Sequence, residues 1–161
     1  MKFKAIFPLL VSALCLTSCG SKECKPLKLD ENISFKAVIV QNDKSYTARF
    51  TRKGNAGWEA VIVSPETVEG MEIDLFNNTY SVNFGELSYS GSRDNMSDYS
   101  MISLIASAMD KCVGNNVEST QKGDIVTEKS TVNGLNFTVD FKDNFPKSME
   151  ISDYLSADFK M

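Results

Sequence analysis

The sequence predicts a mostly β fold of the α+β class, in which a single curved antiparallel sheet forms an unclosed half-barrel and one amphipathic helix packs in its concave face. Three observations favour this fold class. Apolar and polar residues alternate with period two through most of the chain after residue 32. One segment alone has the spacing of a helix. The strands come in runs before and after that segment, which is unlike a parallel β/α arrangement.

Five strands are expected before the helix, because five segments each place apolar residues on one face and polar residues on the other. These segments lie near residues 33–40, 46–51, 58–63, 71–75 and 80–84. The turn-forming residues that separate them are Asn42-Asp43, Gly54 to Gly57, Ser64-Pro65 and Asn77-Asn78. This short succession of strands predicts an antiparallel meander. The segment from Gly85 to Asn95 is expected to be a polar loop that leads to the helix.

The helix is predicted between about residues 98 and 113, where apolar residues recur at spacings of three and four. Ser97 or Asp98 can accept hydrogen bonds from the N–H groups of the first turn, and Gly114 is placed to end the helix in a left-handed turn. Three or four more strands are expected to follow it. Those that the pattern indicates lie near residues 124–131, 135–142 and 149–151, with a turn at Asn133-Gly134.

The first 18 residues have the organisation of a secretory signal peptide. Lys2 and Lys4 precede an apolar run from Ala5 to Leu16, which is shorter than the ~20 residues that a membrane-spanning helix needs. Leu16-Thr17-Ser18-Cys19 closely resembles the lipobox of bacterial lipoproteins. The resemblance implies cleavage before Cys19, acylation of its thiol, and anchoring on the extracytoplasmic face of a bacterial cell membrane; the alternative is an ordinary secreted protein. Several acyl chains hold a protein firmly, whereas one alone is marginal.

Residues 19–31 then form a lipidated tether, and residues 32–161 form the folded domain. The tether is polar, and a dozen residues extend to at most ~40 Å, so the domain stays close to the bilayer. Two segments of the domain, residues 63–71 and 144–151, resemble the lipoprotein-carrier superfamily, which includes small lipoproteins of clostridia and their relatives. That resemblance implies a half-barrel with a helix in its mouth and the binding of a lipid. The chain departs from the better-known carriers in being shorter and in having one clear helix.

The composition argues against an enzyme and against nucleic-acid binding. The chain has no histidine and no nucleophile, phosphate-binding or metal-binding motif, so no metal or cofactor is expected. Glu69, Glu72 and Asp74 are the best catalytic candidates, but Glu72 and Asp74 alternate with apolar residues and are more simply a solvated face. Without Lys2 and Lys4, 15 of the 17 basic residues remain against 21 acidic ones, which disfavours a nucleic-acid partner.

Two cysteines remain after Cys15 leaves with the signal peptide and Cys19 is acylated. Cys24 lies in the tether and Cys112 at the end of the helix. The sequence is compatible both with a disulfide between them and with two free thiols.

The candidate site consists of the apolar residues on the sheet face and on the helix. They either form the core or line a pocket for an acyl chain, because a sequence does not show an empty volume. These residues are Phe35, Tyr46, Phe50, Trp58, Tyr80, Phe84, Ile102, Ile105 and Met109. The first hypothesis is therefore a membrane-tethered, non-catalytic protein that binds a lipid or other hydrophobic ligand. The alternative is an envelope protein that docks a protein partner and has no ligand cavity.

Overall fold

A computed structural model describes residues 32–55, 57–97, 100–114 and 116–161 of the chain. These residues form eleven strands and one α-helix, with short 3-10 helices at Glu66–Val68 and Arg93–Asn95. Before helix α1 (Met101–Val113) come β1 (Ser34–Gln41), β2 (Lys44–Arg52), β3 (Gly57–Ser64), β4 (Glu72–Phe76), β5 (Thr79–Phe84) and β6 (Leu87–Ser92). After it come β7 (Glu118–Lys122), β8 (Ile125–Val132), β9 (Leu135–Lys142), β10 (Phe145–Ile151) and β11 (Leu155–Lys160).

All eleven strands belong to one antiparallel sheet in the order β6-β5-β4-β3-β2-β1-β11-β10-β9-β8-β7. The sheet consists of two meanders, β1 to β6 and β7 to β11, which join where β1 pairs with β11. In that central pair, Ile39 lies opposite Ala157 and Ala37 lies opposite Phe159. Within the described residues β6 and β7 are the two edges, so the sheet is not closed into a barrel and the predicted fold class is confirmed.

The predicted turns between strands have the backbone that tight hairpins require. Asn42 and Asp43 both have positive φ angles, 50° and 61°, as do Asn133 and Gly134 at 49° and 79°. A two-residue loop with both φ angles positive has the twist of the adjoining strands, and Asn, Asp and Gly adopt this conformation at low cost. Residue choice at these turns therefore fixes the register of the strands that follow.

Helix α1 lies against the concave face of the sheet. Its C-terminal end contacts Trp58 on β3 through Asp110, and Glu128 on β8 through Cys112. These strands are six spacings apart in the sheet, which would be about 29 Å on a flat surface, whereas a helix is only ~10–12 Å wide. The sheet must therefore curve around the helix for both contacts to form, as the half-barrel prediction requires.

The strand count differs from the prediction, because β6, β7 and β11 were not predicted. The segment expected to be a loop before the helix contains β6, in which every residue from Leu87 to Ser90 is exposed. The residues of β7 are exposed as well. Strand β7 is polar throughout and gives no periodic signal, whereas β6 has only a short alternation, in which Leu87 and Tyr89 alternate with serines. The omission of β11 has no such reason, since its Leu155, Ala157 and Phe159 alternate and are buried.

The helix ends at Val113 as predicted, but its two termini differ in detail. It begins at Met101, after Ser100, and the Ser100 side chain makes no capping hydrogen bond. The prediction of Ser97 or Asp98 as the N-cap is therefore wrong in position; residues 98 and 99 lie outside the described part. Gly114 does follow the helix, but its φ of −77° is not left-handed. The N–H of Gly114 instead donates to the carbonyl group of Asp110, which continues the helical hydrogen-bond pattern by one residue.

Candidate functional site

Six of the predicted site residues form a filled core. The rings of Phe35 and Phe50 stack with centroids 5.4 Å apart, and Trp58 lies 5.8 Å and 6.4 Å from them. Ile102, Ile105 and Met109 of the helix are fully buried against the same face. Four depressions in the described surface, of about 320 to 680 Å³, are lined by other residues. Because they are closely packed, these six residues belong to the core.

The concave face continues beyond the helix as an exposed apolar surface. Directly opposite residues of adjacent strands share a face of the sheet, and Tyr89 lies opposite Val82, which lies opposite the buried Ile73. In the same way Leu87 lies opposite Phe84. We call the five residues of this surface the apolar strip: Tyr80, Val82, Phe84, Leu87 and Tyr89.

Exposure rises across the apolar strip towards the edge of the sheet. Leu75 on β4 is fully buried, and the three strip residues of β5 are half-buried. On β6, Leu87 is 74% exposed and Tyr89 is 62% exposed. Among the described residues, the concave face is therefore covered as far as β4, partly covered at β5 and open at β6. Of the predicted site residues, Tyr80 and Phe84 lie on the partly covered β5, and Tyr80 and Tyr46 are both half-buried and pack against the core.

The two tyrosines give the apolar strip a polar group. Their ring centroids are 5.8 Å apart with the planes tilted by 47°, and a hydrogen bond with Tyr89 raises the pKa of the Tyr80 hydroxyl. Gly91 lies opposite Tyr80 on β6, and a Cβ atom there would come within 3.1 Å of the Tyr80 ring. A glycine at this position lets the ring lie flat across the strand. The apolar surface thus ends beside two hydroxyl groups.

The opposite, convex face of the same strands is acidic. Asp74 lies opposite Ser81, which lies opposite Ser90, and the Ser81 hydroxyl donates to the Asp74 carboxylate over 3.0 Å. Glu72 lies in the neighbouring row and is exposed. Glu59 lies opposite Asp74 on β3 and pairs with Lys53. The carboxylates considered as catalytic candidates, Glu69, Glu72 and Asp74, do not converge on one pocket: Glu69 and Glu72 are exposed, and Asp74 is bonded to Ser81.

A polar cluster fixes the C-terminal end of α1 to the sheet. Asp110 accepts a hydrogen bond from Trp58 Nε1 at 3.0 Å and one from Arg52 Nε at 3.4 Å. The Arg52 side chain is only 8% exposed. About one turn earlier in the helix, Arg93 donates to the Ser107 hydroxyl over 3.4 Å. The helix is thus attached to the β2–β3 half of the sheet by charge-assisted hydrogen bonds, which are stronger than neutral ones.

One carboxyl group lies within the core. Glu128 on β8 faces the helix and is 2% exposed, and its contacts are the Cys112 thiol and the Ser119 hydroxyl, the latter at 3.5 Å. Its Oε2 atom has no hydrogen-bond partner within the described residues. Burial raises the pKa of Glu128 and, more strongly, that of the Cys112 thiol. No pattern of spacing in the sequence indicated this buried acid.

Some predictions lie outside the described residues. Cys19, the signal peptide and the tether precede residue 32, and so does Cys24, the other cysteine considered for a disulfide with the buried Cys112. In the described ranges no group of three or more metal-ligating side chains occurs. No helix in those ranges is long and apolar enough to cross a membrane.

Comparison with known proteins finds similarity only to solved structures. No protein-family model matches the chain. No curated protein matches it either. Among solved structures, it is similar to a LolA superfamily protein from Nitrosomonas europaea, with a TM-score of 0.38 and 11% sequence identity. The match covers 78% of this chain, which spans 66% of the length of that protein.

Proposed function

We propose that this protein is a non-catalytic lipoprotein of the bacterial cell envelope whose domain binds a lipid or other hydrophobic ligand on the apolar strip. The observation that carries the proposal is the incompletely covered concave face at β5 and β6. There Leu87 and Tyr89 are largely exposed although they continue the face that forms the core elsewhere. An apolar side chain left in water forgoes about 1.5–3 kcal/mol of burial free energy, which a ligand that covers it regains.

The dimensions of the apolar strip suit an acyl chain. It is two strands wide, about 5 Å between strand axes, and from Phe84 to Tyr80 it extends about 13 Å along β5. The hydroxyl groups of Tyr80 and Tyr89 provide a hydrogen-bonding group for the polar end of such a ligand. Because the core behind the strip is filled, the ligand lies on the sheet beside the helix and is not enclosed in a cavity.

The anchor is the second part of the proposal. Acyl chains on Cys19 would hold the domain within reach of the bilayer, where a lipid-binding surface meets its ligand at high local concentration. The mass of the intact chain, purified from a bacterial host, checks this part. We expect cleavage before Cys19 and an added mass of acyl groups. A Cys19→Ala variant is expected to carry no acyl mass.

Ligand binding is tested on the domain from Ser21 onward, since the residues from 32 onward contain the whole described core. Purified without detergent, this domain is titrated with a fluorescent long-chain fatty acid. Leu87→Lys places a charge on the apolar strip, and we expect it to weaken binding at least tenfold. Val40→Lys is the matched control, because Val40 is 44% exposed on the convex face. Absence of binding by the unmodified domain, or an equal loss in both variants, would contradict the proposal.

A further inference from the structure

Strand β6 is an open edge of the sheet without the usual protection. Edge strands commonly carry charged residues or proline, which prevent another strand from pairing with them. The sequence from Leu87 to Ser92 contains neither, whereas the opposite edge, β7, begins with Glu118 and ends with Lys122. Within the described residues no strand pairs with the outer side of β6. The two edges of the sheet therefore differ in their capacity to accept a further strand.

The geometry of the β5–β6 hairpin shows which backbone groups are available. The two strands are joined by Gly85 and Glu86, and Phe84 pairs with Leu87 across this two-residue loop. The residues that flank such a loop exchange hydrogen bonds, so alternate residues of β6 point their N–H and C=O groups towards β5. The N–H of Arg93 follows this alternation and donates to the carbonyl group of Asn78 over 2.9 Å. The backbone groups of Ser88 and Ser90 consequently point away from the sheet.

The charge around this edge is mainly acidic, although Arg93 directly follows β6 and Lys53 pairs with Glu59. From Gly54 to Ser92 the chain contains no lysine or arginine but six acidic residues. These residues are Glu59, Glu66, Glu69, Glu72, Asp74 and Glu86. On the convex face, two rows of directly opposite residues lead from β4 to the edge strand β6. The first row is Glu72, Asn83 and Ser88, and the second is Asp74, Ser81 and Ser90. Small polar side chains thus lie between the edge and the acidic groups.

We propose that β6 binds an extended, basic segment of a protein partner, which adds to the sheet as a twelfth strand. Residues of the partner opposite Ser88 and Ser90 face the convex side, where basic side chains reach over the small serines towards the acidic rows. Residues opposite Leu87 and Tyr89 face the concave side, where apolar side chains extend the apolar strip. The partner segment therefore alternates basic and apolar residues, which is how strand addition combines backbone affinity with side-chain specificity.

The same charges disfavour a second copy of this chain as the occupant. Antiparallel pairing of two β6 strands would place two convex faces of the same negative sign side by side. The carboxylates of the two copies would not lie directly opposite each other, since β6 itself carries no charge, but they repel each other across the joined faces at low salt. A partner of opposite charge gains attraction where a second copy meets repulsion, and the attraction also raises the association rate.

A synthetic peptide tests the proposal. The probe is an acetylated and amidated heptapeptide of alternating lysine and valine with a fluorophore, and the protein is the full chain in a non-ionic detergent. We expect binding that weakens as salt increases. The peptide with glutamate in place of lysine is expected to bind at least tenfold more weakly. Equal binding of the two peptides, or no binding of either, overturns the proposal.

Two proline variants locate the binding edge. Ser90→Pro removes an outward N–H on β6, and Gln121→Pro removes the equivalent N–H on β7. We expect at least a tenfold loss of peptide affinity for Ser90→Pro and no change for Gln121→Pro, with near-ultraviolet circular dichroism confirming that both are folded. An equal loss of peptide affinity in both variants overturns the proposal. It is also overturned if the unmodified protein is a dimer that Ser90→Pro dissociates, since a second copy would then occupy the edge. We expect Ser90→Pro to bind the fatty acid as the unmodified protein does. A negative result for peptide binding can therefore be distinguished from a negative result for lipid binding.

Discussion

Glu128 occupies a position that is costly for the fold. A carboxylate in a core loses its hydration, and among the described residues the Cys112 thiol and the Ser119 hydroxyl are the groups that bond to this side chain. The native pKa is therefore raised above the usual 4.5. A group with a raised native pKa contributes stability below its unfolded pKa, and this contribution is lost as the pH rises through the native pKa. Near pH 8, Glu128 consequently destabilises the domain.

Glu128→Gln is expected to stabilise the protein at pH 8, because the amide has the shape of the acid and carries no charge. We expect the free energy of unfolding to increase by about 1 kcal/mol at pH 8 and to be unchanged or slightly lower at pH 4. Urea denaturation at the two pH values measures this difference. Glu150→Gln, at an exposed position of β10, is the control and should change stability by less than about 0.5 kcal/mol at either pH. A pH-independent effect of Glu128→Gln would contradict the assignment.

At the scale of the element, helix α1 depends on the cluster at its C-terminal end. Asp110 is an acidic residue in the last turns, where the helix dipole disfavours negative charge. Its hydrogen bonds from Trp58 and Arg52 offset that cost and hold the helix in the half-barrel. Arg52 in turn is buried and has its charge paired through Asp110. The ion pair thus fixes the position of the helix, and with it the limit of the uncovered concave face.

Asp110→Ala is expected to lower the free energy of unfolding by about 2 kcal/mol, since it leaves the buried Arg52 guanidinium without this carboxylate. The value is below that of a fully buried pair because the Asp110 side chain is 43% exposed. Lys53→Ala breaks the exposed pair with Glu59 and should lower stability much less, because solvent screens that pair. Urea denaturation compares the two. A loss no larger for Asp110→Ala than for Lys53→Ala would show that the cluster does not hold the helix.

For the whole molecule, the sequence was sufficient to predict most of the elements that contribute to the core, although not β11. Alternation at Phe35 to Ile39 and the helical spacing at Ile102 to Met109 arise because these residues face one buried surface, and burial imposes a period. The same reasoning predicted the fold class. With runs of strands before and after a single helix, the apolar face of the sheet and that of the helix are most simply buried against each other. Turn residues with positive φ, such as Asn133, were equally predictable from local chemistry.

The candidate site was less predictable, because it depends on what the helix leaves uncovered. Phe50 and Tyr80 give the same strand pattern, yet the first is fully buried and the second is half-buried at the margin of the core. The difference arises from what covers the sheet at each strand, which no local pattern encodes. Strand β6 was missed because its alternation is short, with only Leu87 and Tyr89 between serines. The residues of greatest functional interest are thus those that burial does not constrain.

The central strand pair has a consequence for the order in which the chain can fold. β1 and β11 lie side by side in the middle of the sheet, although Ala37 and its partner Phe159 are more than one hundred residues apart. A chain that emerges N-terminus first exposes the unpaired side of β1 until Leu155–Lys160 has been synthesised. The two meanders can form separately, but the described sheet is complete only when β11 pairs with β1. Long-range pairing of this kind is slow, so we expect the closing of this central pair to limit the rate of folding.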